Sequence, residues 1–161
     1  ATICDINEAM VSIGRDRAFD RGLIKGTDWI CGNAENLPVV SSSVDAYTVA
    51  FGIRNVTNIP AALAEANRVL KPGGRFLCLE FSRFLLPGLK KAYEAYSFQI
   101  LPLLGDLVAG NREAYRYLAE SIQRFPDQET FSDLIANAGL QQVKVRNLSG
   151  GIAALHSAWR I

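Results

Sequence analysis

Apolar residues along the chain fall into short runs separated by polar or glycine-bearing breaks, and the period changes from run to run. Residues 1–4 form an apolar run closed by Asp5. Over residues 7–20, Met10, Val11, Ile13, Ala18 and Phe19 recur at helical spacing. Trp29, Ile30 and Cys31 predict a second short strand stopped at Gly32, and a polar stretch runs from there to Ser43. Residues 44–51 are apolar on both faces, the pattern of a central parallel strand covered by helices on either side. Asn58 is placed to cap the next helix, with Pro60 in its first turn. Ile59, Ala62, Leu63, Ala66, Val69 and Leu70 supply that helix with an apolar stripe, and Lys71-Pro72-Gly73-Gly74 ends it. Residues 76–81 predict a fourth strand.

Strand, helix, strand, loop, strand, helix, strand is the order of an α/β doubly wound domain with a mostly parallel sheet. The pattern then changes. Residues 84–108 are rich in leucine and aromatics and predict helices broken near Pro102 and Gly105. Residues 113–124 predict a further helix. Asp127 can cap another over residues 128–138, with Gly139 as its stop. Residues 143–148 and 152–159 predict a hairpin around Ser149-Gly150-Gly151. The whole reads as one domain, residues 1–161, in which residues 84–124 form a helical cap inserted before a C-terminal hairpin. The chain opens on a strand already under way, so a preceding strand and its glycine-rich loop are expected upstream of Ala1.

Composition narrows the function classes. Hydrophobic residues make up 49% of the 161, enough for a true core. A net charge of +1 supplies no field for binding nucleic acid through phosphates. Cys4, Cys31 and Cys78 sit in predicted strands, far apart in sequence, and read as buried thiols of a reducing compartment. With His156 as the single histidine, a histidine-rich metal site is excluded.

Ligands of an open parallel sheet bind beyond the carboxyl ends of its strands, and three predicted strand ends carry suggestive residues. Asp5 can accept hydrogen bonds from both hydroxyls of a ribose; its plainer role is to cap a helix. Asn33, followed by Ala34, can meet an adenine edge or simply make a turn. Gly52, Arg54 and Asn55 follow the third strand and place a cation and an amide over the expected groove. Taken together they describe a groove for a nucleotide-like cofactor.

The stretch Phe51-Gly52-Ile53-Arg54-Asn55-Val56-Thr57, with Arg68-Val69-Leu70-Lys71-Pro72-Gly73-Gly74-Arg75-Phe76 and Leu79-Glu80-Phe81-Ser82, resembles the ubiquinone/menaquinone biosynthesis C-methyltransferase family. Tyr96-Ser97-Phe98, Leu101-Pro102, Phe125-Pro126 and His156 extend the likeness over essentially the whole chain. The resemblance implies a class I methyltransferase sheet with S-adenosyl-L-methionine as cofactor. It implies that Asp5 holds the ribose and that Asn33 and Ala34 contact the adenine. Ala50 also lines this site by resemblance; relatives often carry serine there, and alanine forgoes that side-chain hydrogen bond.

The implied acceptor is a prenylated quinol, either a polyprenyl-methoxy-benzoquinol or a demethylmenaquinol. Arg54 and Asn55 are the candidate catalytic residues. A guanidinium keeps its proton, so Arg54 would stabilise a phenolate or orient a water that takes the proton, and Asn55 would position the ring oxygen. Glu80 reads as a proton relay or a structural ion pair, and His156 as a structural histidine, with a base role the alternative. The apolar stretch 84–108 would channel a prenyl tail, with Lys90 and Lys91 leaning on anionic lipid heads at an inner membrane, bacterial or mitochondrial. A homodimer or a quinone-biosynthesis complex would suit the same apolar face. Two other readings compete: a nicotinamide-dependent oxidoreductase, whose upstream loop would read G-x-G-x-x-G, and a non-catalytic lipid-binding partner.

Overall fold

A computed structural model describes residues 1–23, 25–82 and 112–161. Strand β1 (Thr2–Asp5) leads into helix α1 (Glu8–Asp20), then β2 (Asp28–Cys31) and β3 (Val44–Ala50). Helix α2 (Ile59–Val69) and strand β4 (Leu70–Phe81) follow. Helices α3 (Arg112–Arg124) and α4 (Gln128–Asn137) and strands β5 (Gln141–Leu148) and β6 (Ala153–Trp159) complete the described chain. The predicted helices within residues 84–108, and the tail channel drawn from them, lie outside the described residues.

Two sheets form. In one, β1 and β2 run parallel, from Thr2 opposite Asp28 to Asp5 opposite Cys31. The other has the order β3-β4-β6-β5. Its β3–β4 pair is parallel, while β6 runs antiparallel to both of its neighbours. The predicted C-terminal hairpin is therefore present, and its second strand inserts between β4 and β5.

The core forms where α2 and α4 meet the larger sheet. Leu63, Leu70, Phe76, Phe131, Ile135 and Leu140 are buried there in one cluster. Asn58 caps α2 by accepting from the Ala61 N–H at 3.1 Å, as its position predicts. The other end of α2 is held from afar. Arg160 Nη1 donates to the Asn67 and Arg68 carbonyls, both at 2.9 Å, and to the Leu70 carbonyl. A cation against the last carbonyls of a helix satisfies orphan acceptors and complements the dipole. Asp127 caps α4 through the Thr130 N–H at 2.9 Å, and Gly139 (φ +88°) ends it.

Four expectations need correction. β3 is not a covered central strand: among the described residues it is the edge of the four-stranded sheet. Asp45, Ala46, Thr48 and Ala50 are exposed, and Val44, Tyr47 and Val49 lean on the core. The apolar stripe of α1 is mostly unburied. Among the described residues Met10, Ile13 and Phe19 are exposed, Ala18 is half-buried and only Val11 is buried. Lys71-Pro72-Gly73-Gly74 does not separate helix from strand. It lies inside β4 as the register shift between Val44 opposite Leu70 and Ala46 opposite Arg75. Of the three thiols only Cys78 is buried; Cys4 is half-buried and Cys31 exposed, and none is in a disulfide.

Candidate functional site

The ends of β2 and β3 are tied to one side of the molecule by a single carboxylate. Glu35, in the loop after β2, accepts through Oε1 from the Thr57 N–H at 2.7 Å and the Asn58 N–H at 3.0 Å, at the entry to α2. Further along the same loop, the Leu37 N–H donates to Glu65 on α2 at 2.7 Å. Arg68, also on α2, donates to the Leu37 and Val39 carbonyls. Its bidentate pairing with Glu65 holds the Glu65 carboxyl below the usual carboxylate range. The loop bearing Asn33 and Ala34 is thereby fastened to the helix that follows β3.

Asp5 and Asn33 stand at adjacent strand ends, since Asp5 pairs with Cys31 and its carbonyl accepts from Gly32 N–H at 3.0 Å. Both side chains are exposed, and both perform the plainer turn role. Asp5 Oδ1 accepts from the Asn7 N–H at 2.8 Å, and Asn33 Oδ1 from the Glu35 N–H at 2.9 Å. The second Asp5 oxygen and the Asn33 amide nitrogen bond nothing among the described residues. Those spare groups, an acceptor for hydroxyls and a donor for a base edge, are of the chemical types that an adenosyl group would pair with. Ala34 is half-buried, and Ala50 is exposed at the tip of β3.

Beyond Ala50 the backbone turns sharply. Phe51 adopts φ +54°, a strained conformation for a bulky residue. It is held by its N–H on the Leu79 carbonyl at 2.8 Å and by its ring against Phe81, centroids 4.6 Å apart. Ile53–Asn55 then makes one 3₁₀ turn, anchored by the buried Ile53. This turn brings Arg54 over the end of β4. Arg54 Nη1 donates to the Phe51 carbonyl and, at 2.9 Å, to Oε1 of Glu80; the guanidinium lies 5.4 Å from the centre of the Phe81 ring. Glu80 is no solvent-facing relay, because its side chain is only 1% exposed.

Asn55 Oδ1 accepts from the Tyr117 hydroxyl of α3 at 3.2 Å. A cavity of about 290 Å³ opens between the turn and α3. Arg54, Val56, Thr57 and Ile59 line one side; Tyr117, Ser121, Arg124 and Phe125 line the other. Its walls combine apolar carbons with hydroxyls and guanidinium groups, which suits a ring bearing oxygens.

The groups outside this region are quiet. His156 is buried, donates Nε2–H to the Gln128 carbonyl at 3.2 Å and meets Phe131 edge-on, contacts of a structural histidine. Burial pushes the Cys78 thiol up, and burial with the nearby Asp5 carboxylate pushes Cys4 up, so neither is an activated nucleophile. The sequence reading missed Glu35 and Tyr117 and left Glu80 out of the site. For Glu80 the signal was present: a carboxylate inside an apolar strand demands a buried partner.

The architecture defines the class: this is the fold of class I S-adenosylmethionine-dependent methyltransferases. A methyltransferase of that type from Thermotoga maritima superposes with a TM-score of 0.69 at 23% identity, covering 99% of this chain and 72% of that one. The [4+2]-cyclase SpnF is as near in shape, with a TM-score of 0.72 at 17% identity over 99% of this chain and 65% of its own. Shape alone therefore does not fix the reaction.

Sequence goes further, for the chain belongs to the ubiE/COQ5 methyltransferase family, whose profile matches residues 1–160. It is 59% identical over 160 residues to the ubiquinone/menaquinone biosynthesis C-methyltransferase UbiE of Methylobacterium nodulans, covering 99% of this chain and 63% of that protein. It is 53% identical over 161 residues to the mitochondrial 2-methoxy-6-polyprenyl-1,4-benzoquinol methylase of Danio rerio, covering 100% of this chain and 49% of that one. The chain thus spans about half to two-thirds of the length of these relatives.

Proposed function

We propose that the whole protein transfers a methyl group from S-adenosyl-L-methionine to a ring carbon of a prenylated quinol. The observation that carries the reading is the Arg54–Asn55 turn. It follows β3, as Asp5 ends β1 and Asn33 follows β2, and Arg54 lines a cavity of about 290 Å³ whose walls include none of Asp5, Asn33, Ala34 and Ala50. The relatives' names supply the chemistry that fits: one is a C-methyltransferase of quinone biosynthesis, the other a benzoquinol methylase.

The donor's contribution is a methyl group already made electrophilic by the sulfonium. When bound, the donor would leave as its neutral thioether, keeping the electron pair on sulfur, and the ring carbon would take the methyl group in exchange for its own proton, which water would accept. The protein's residues supply alignment and electrostatics. Asp5 holds the ribose diol and Asn33 with Ala34 the adenine, while Ala50 borders the groove without a side-chain bond. Asn55, steadied by Tyr117, orients a ring oxygen. Arg54 stabilises the phenolate that raises electron density at the carbon, and the hydroxyl proton leaves through a water it orients.

Residues 84–124 cap the acceptor in this reading, and the prenyl tail keeps the enzyme at a membrane surface. That surface is the cytoplasmic face of a bacterial inner membrane or the matrix face of a mitochondrial one. No helix among the described residues is long and apolar enough to cross a membrane. The test is to incubate full-length protein with methyl-labelled donor and, separately, a reduced benzoquinone and a reduced demethylated naphthoquinone. Label on a ring carbon of either acceptor is expected. Label on oxygen, or on neither acceptor, would refute the reading.

A further inference from the structure

Glu80 occupies a position that packing does not explain. It is the penultimate residue of β4, between the apolar Leu79 and Phe81, is 1% exposed, and spends its carboxylate on three donors. Oε1 accepts from Arg54 Nη1 at 2.9 Å and from the Phe81 N–H at 2.8 Å, and Oε2 from the Arg54 backbone N–H at 3.3 Å. One side chain thus grips Arg54 by its backbone and by its guanidinium. Burying such a pair is costly, and apolar residues of similar volume are often as stable or more so. The pair therefore calls for an explanation beyond stability.

The geometry points to Glu80 as the positioning residue for Arg54. Nη1 is committed to Glu80 and the Phe51 carbonyl, and Nε is buried without a partner. Among the described residues that leaves Nη2 as the guanidinium nitrogen neither bonded nor buried, on a residue that lines the cavity. Glu80 fixes which edge of the guanidinium faces the acceptor. It also balances the charge of Arg54, so that a neutral quinol meets a neutral pair. When the ring oxygen ionises, Arg54 is already aimed and need only share its charge.

This inference rests on the proposed role of Arg54, and its test separates the two. Full-length wild type, Glu80→Gln, Glu80→Asp, Arg54→Gln and the Glu80→Gln/Arg54→Gln pair are compared for kcat, for KM of donor and acceptor, and for thermal unfolding. Glu80→Gln is expected to lower kcat on the order of a hundredfold in folded protein, with donor KM within about twofold. Glu80→Asp keeps the charge but retracts it, and is expected to fall between Gln and wild type. Added to Arg54→Gln, the Glu80 change should cause no further loss, because it acts through Arg54.

A second readout needs no turnover. The guanidinium ¹⁵N resonances of Arg54 should show hindered rotation in wild type and free rotation in whichever Glu80 variant folds. Losses that multiply in the double variant, wild-type kcat in a folded Glu80 variant, or a freely rotating guanidinium in wild type would each overturn the proposal. Full turnover in Arg54→Gln alone would instead remove Arg54 from the chemistry, while the resonance data would still report whether Glu80 holds it.

Discussion

Glu35 is the side chain on which the geometry of the proposed donor groove depends most visibly. Its Oε1 takes the backbone N–H groups of Thr57 and Asn58 at 2.7 and 3.0 Å, at the positive end of α2. Hydrogen bonds to a charged group contribute about 1.5–3 kcal/mol each, and a carboxylate at a helix start adds about 0.3–1 kcal/mol. The simple sum exceeds 3 kcal/mol, but both bonds lie at the surface, where water replaces much of each. A loss of about 1–2 kcal/mol on Glu35→Ala is the resulting expectation. Glu35→Gln keeps an acceptor oxygen and loses the charge, and should cost about half as much. Urea unfolding gives the stabilities. Calorimetric titration of S-adenosylhomocysteine into full-length protein gives the second consequence, because the loop that Glu35 moors carries Asn33 and Ala34. Both quantities should fall in the order Glu, Gln, Ala. An alanine variant with wild-type stability and wild-type affinity would refute the reasoning.

Three further outcomes follow from individual residues. Gly73 (φ +80°) has open space where a Cβ would stand, whereas a Cβ on Gly74 would meet the Lys71 carbonyl oxygen at 2.8 Å and Leu70 Cδ2 at 3.0 Å. Gly73→Asn should therefore cost less than about 1 kcal/mol and Gly74→Asn about 1–3 kcal/mol, read from urea midpoints. Burial lowers the affinity of His156 for a proton, so the unfolded chain takes one up first as pH falls below its ordinary value of 6.5. Stability contributed by the neutral ring is complete above that pH and declines below it, by at most about 1.4 kcal/mol per pH unit. Unfolding curves between pH 5 and 8 should converge for wild type and His156→Gln as pH drops. Tyr117→Phe removes the 3.2 Å bond to Asn55 and should raise acceptor KM several-fold with donor KM unchanged, measured by steady-state kinetics.

How much of this was legible in the sequence differs by element. α2 and α4 were readable because periodicity and a capping Asn58 or Asp127 agree, and the structure keeps both; the stop at Gly139 also holds for α4, whereas α2 passes directly into β4 at Leu70. The C-terminal hairpin was readable from its glycines, but not its insertion beside β4, which depends on long-range pairing that local pattern does not encode. The apolar face of α1 carried a helical period and yet stays exposed, because period reports a face and not whether anything covers it. In the site, strand ends located Asp5, Asn33 and Arg54. Asp5 and Asn33 are held by bonds two residues away, whereas the contacts that fix the rest of the candidate site come from residues 22 to 62 positions away and carry no local signature: Glu35 to Thr57, Glu80 to Arg54, and Tyr117 to Asn55. Mutual satisfaction of buried charge could have joined Glu80 to Arg54, since neither is stable there alone.

The account stands on an adenosyl sulfonium lying across the tips of β1, β2 and β3, with Asp5 on its ribose. Calorimetry of full-length wild type and Asp5→Ala against S-adenosylhomocysteine tests that placement directly. One molecule should bind per chain, and loss of the carboxylate should weaken binding on the order of tenfold to a hundredfold. No binding by the intact protein, or equal affinity in the two, would contradict the account.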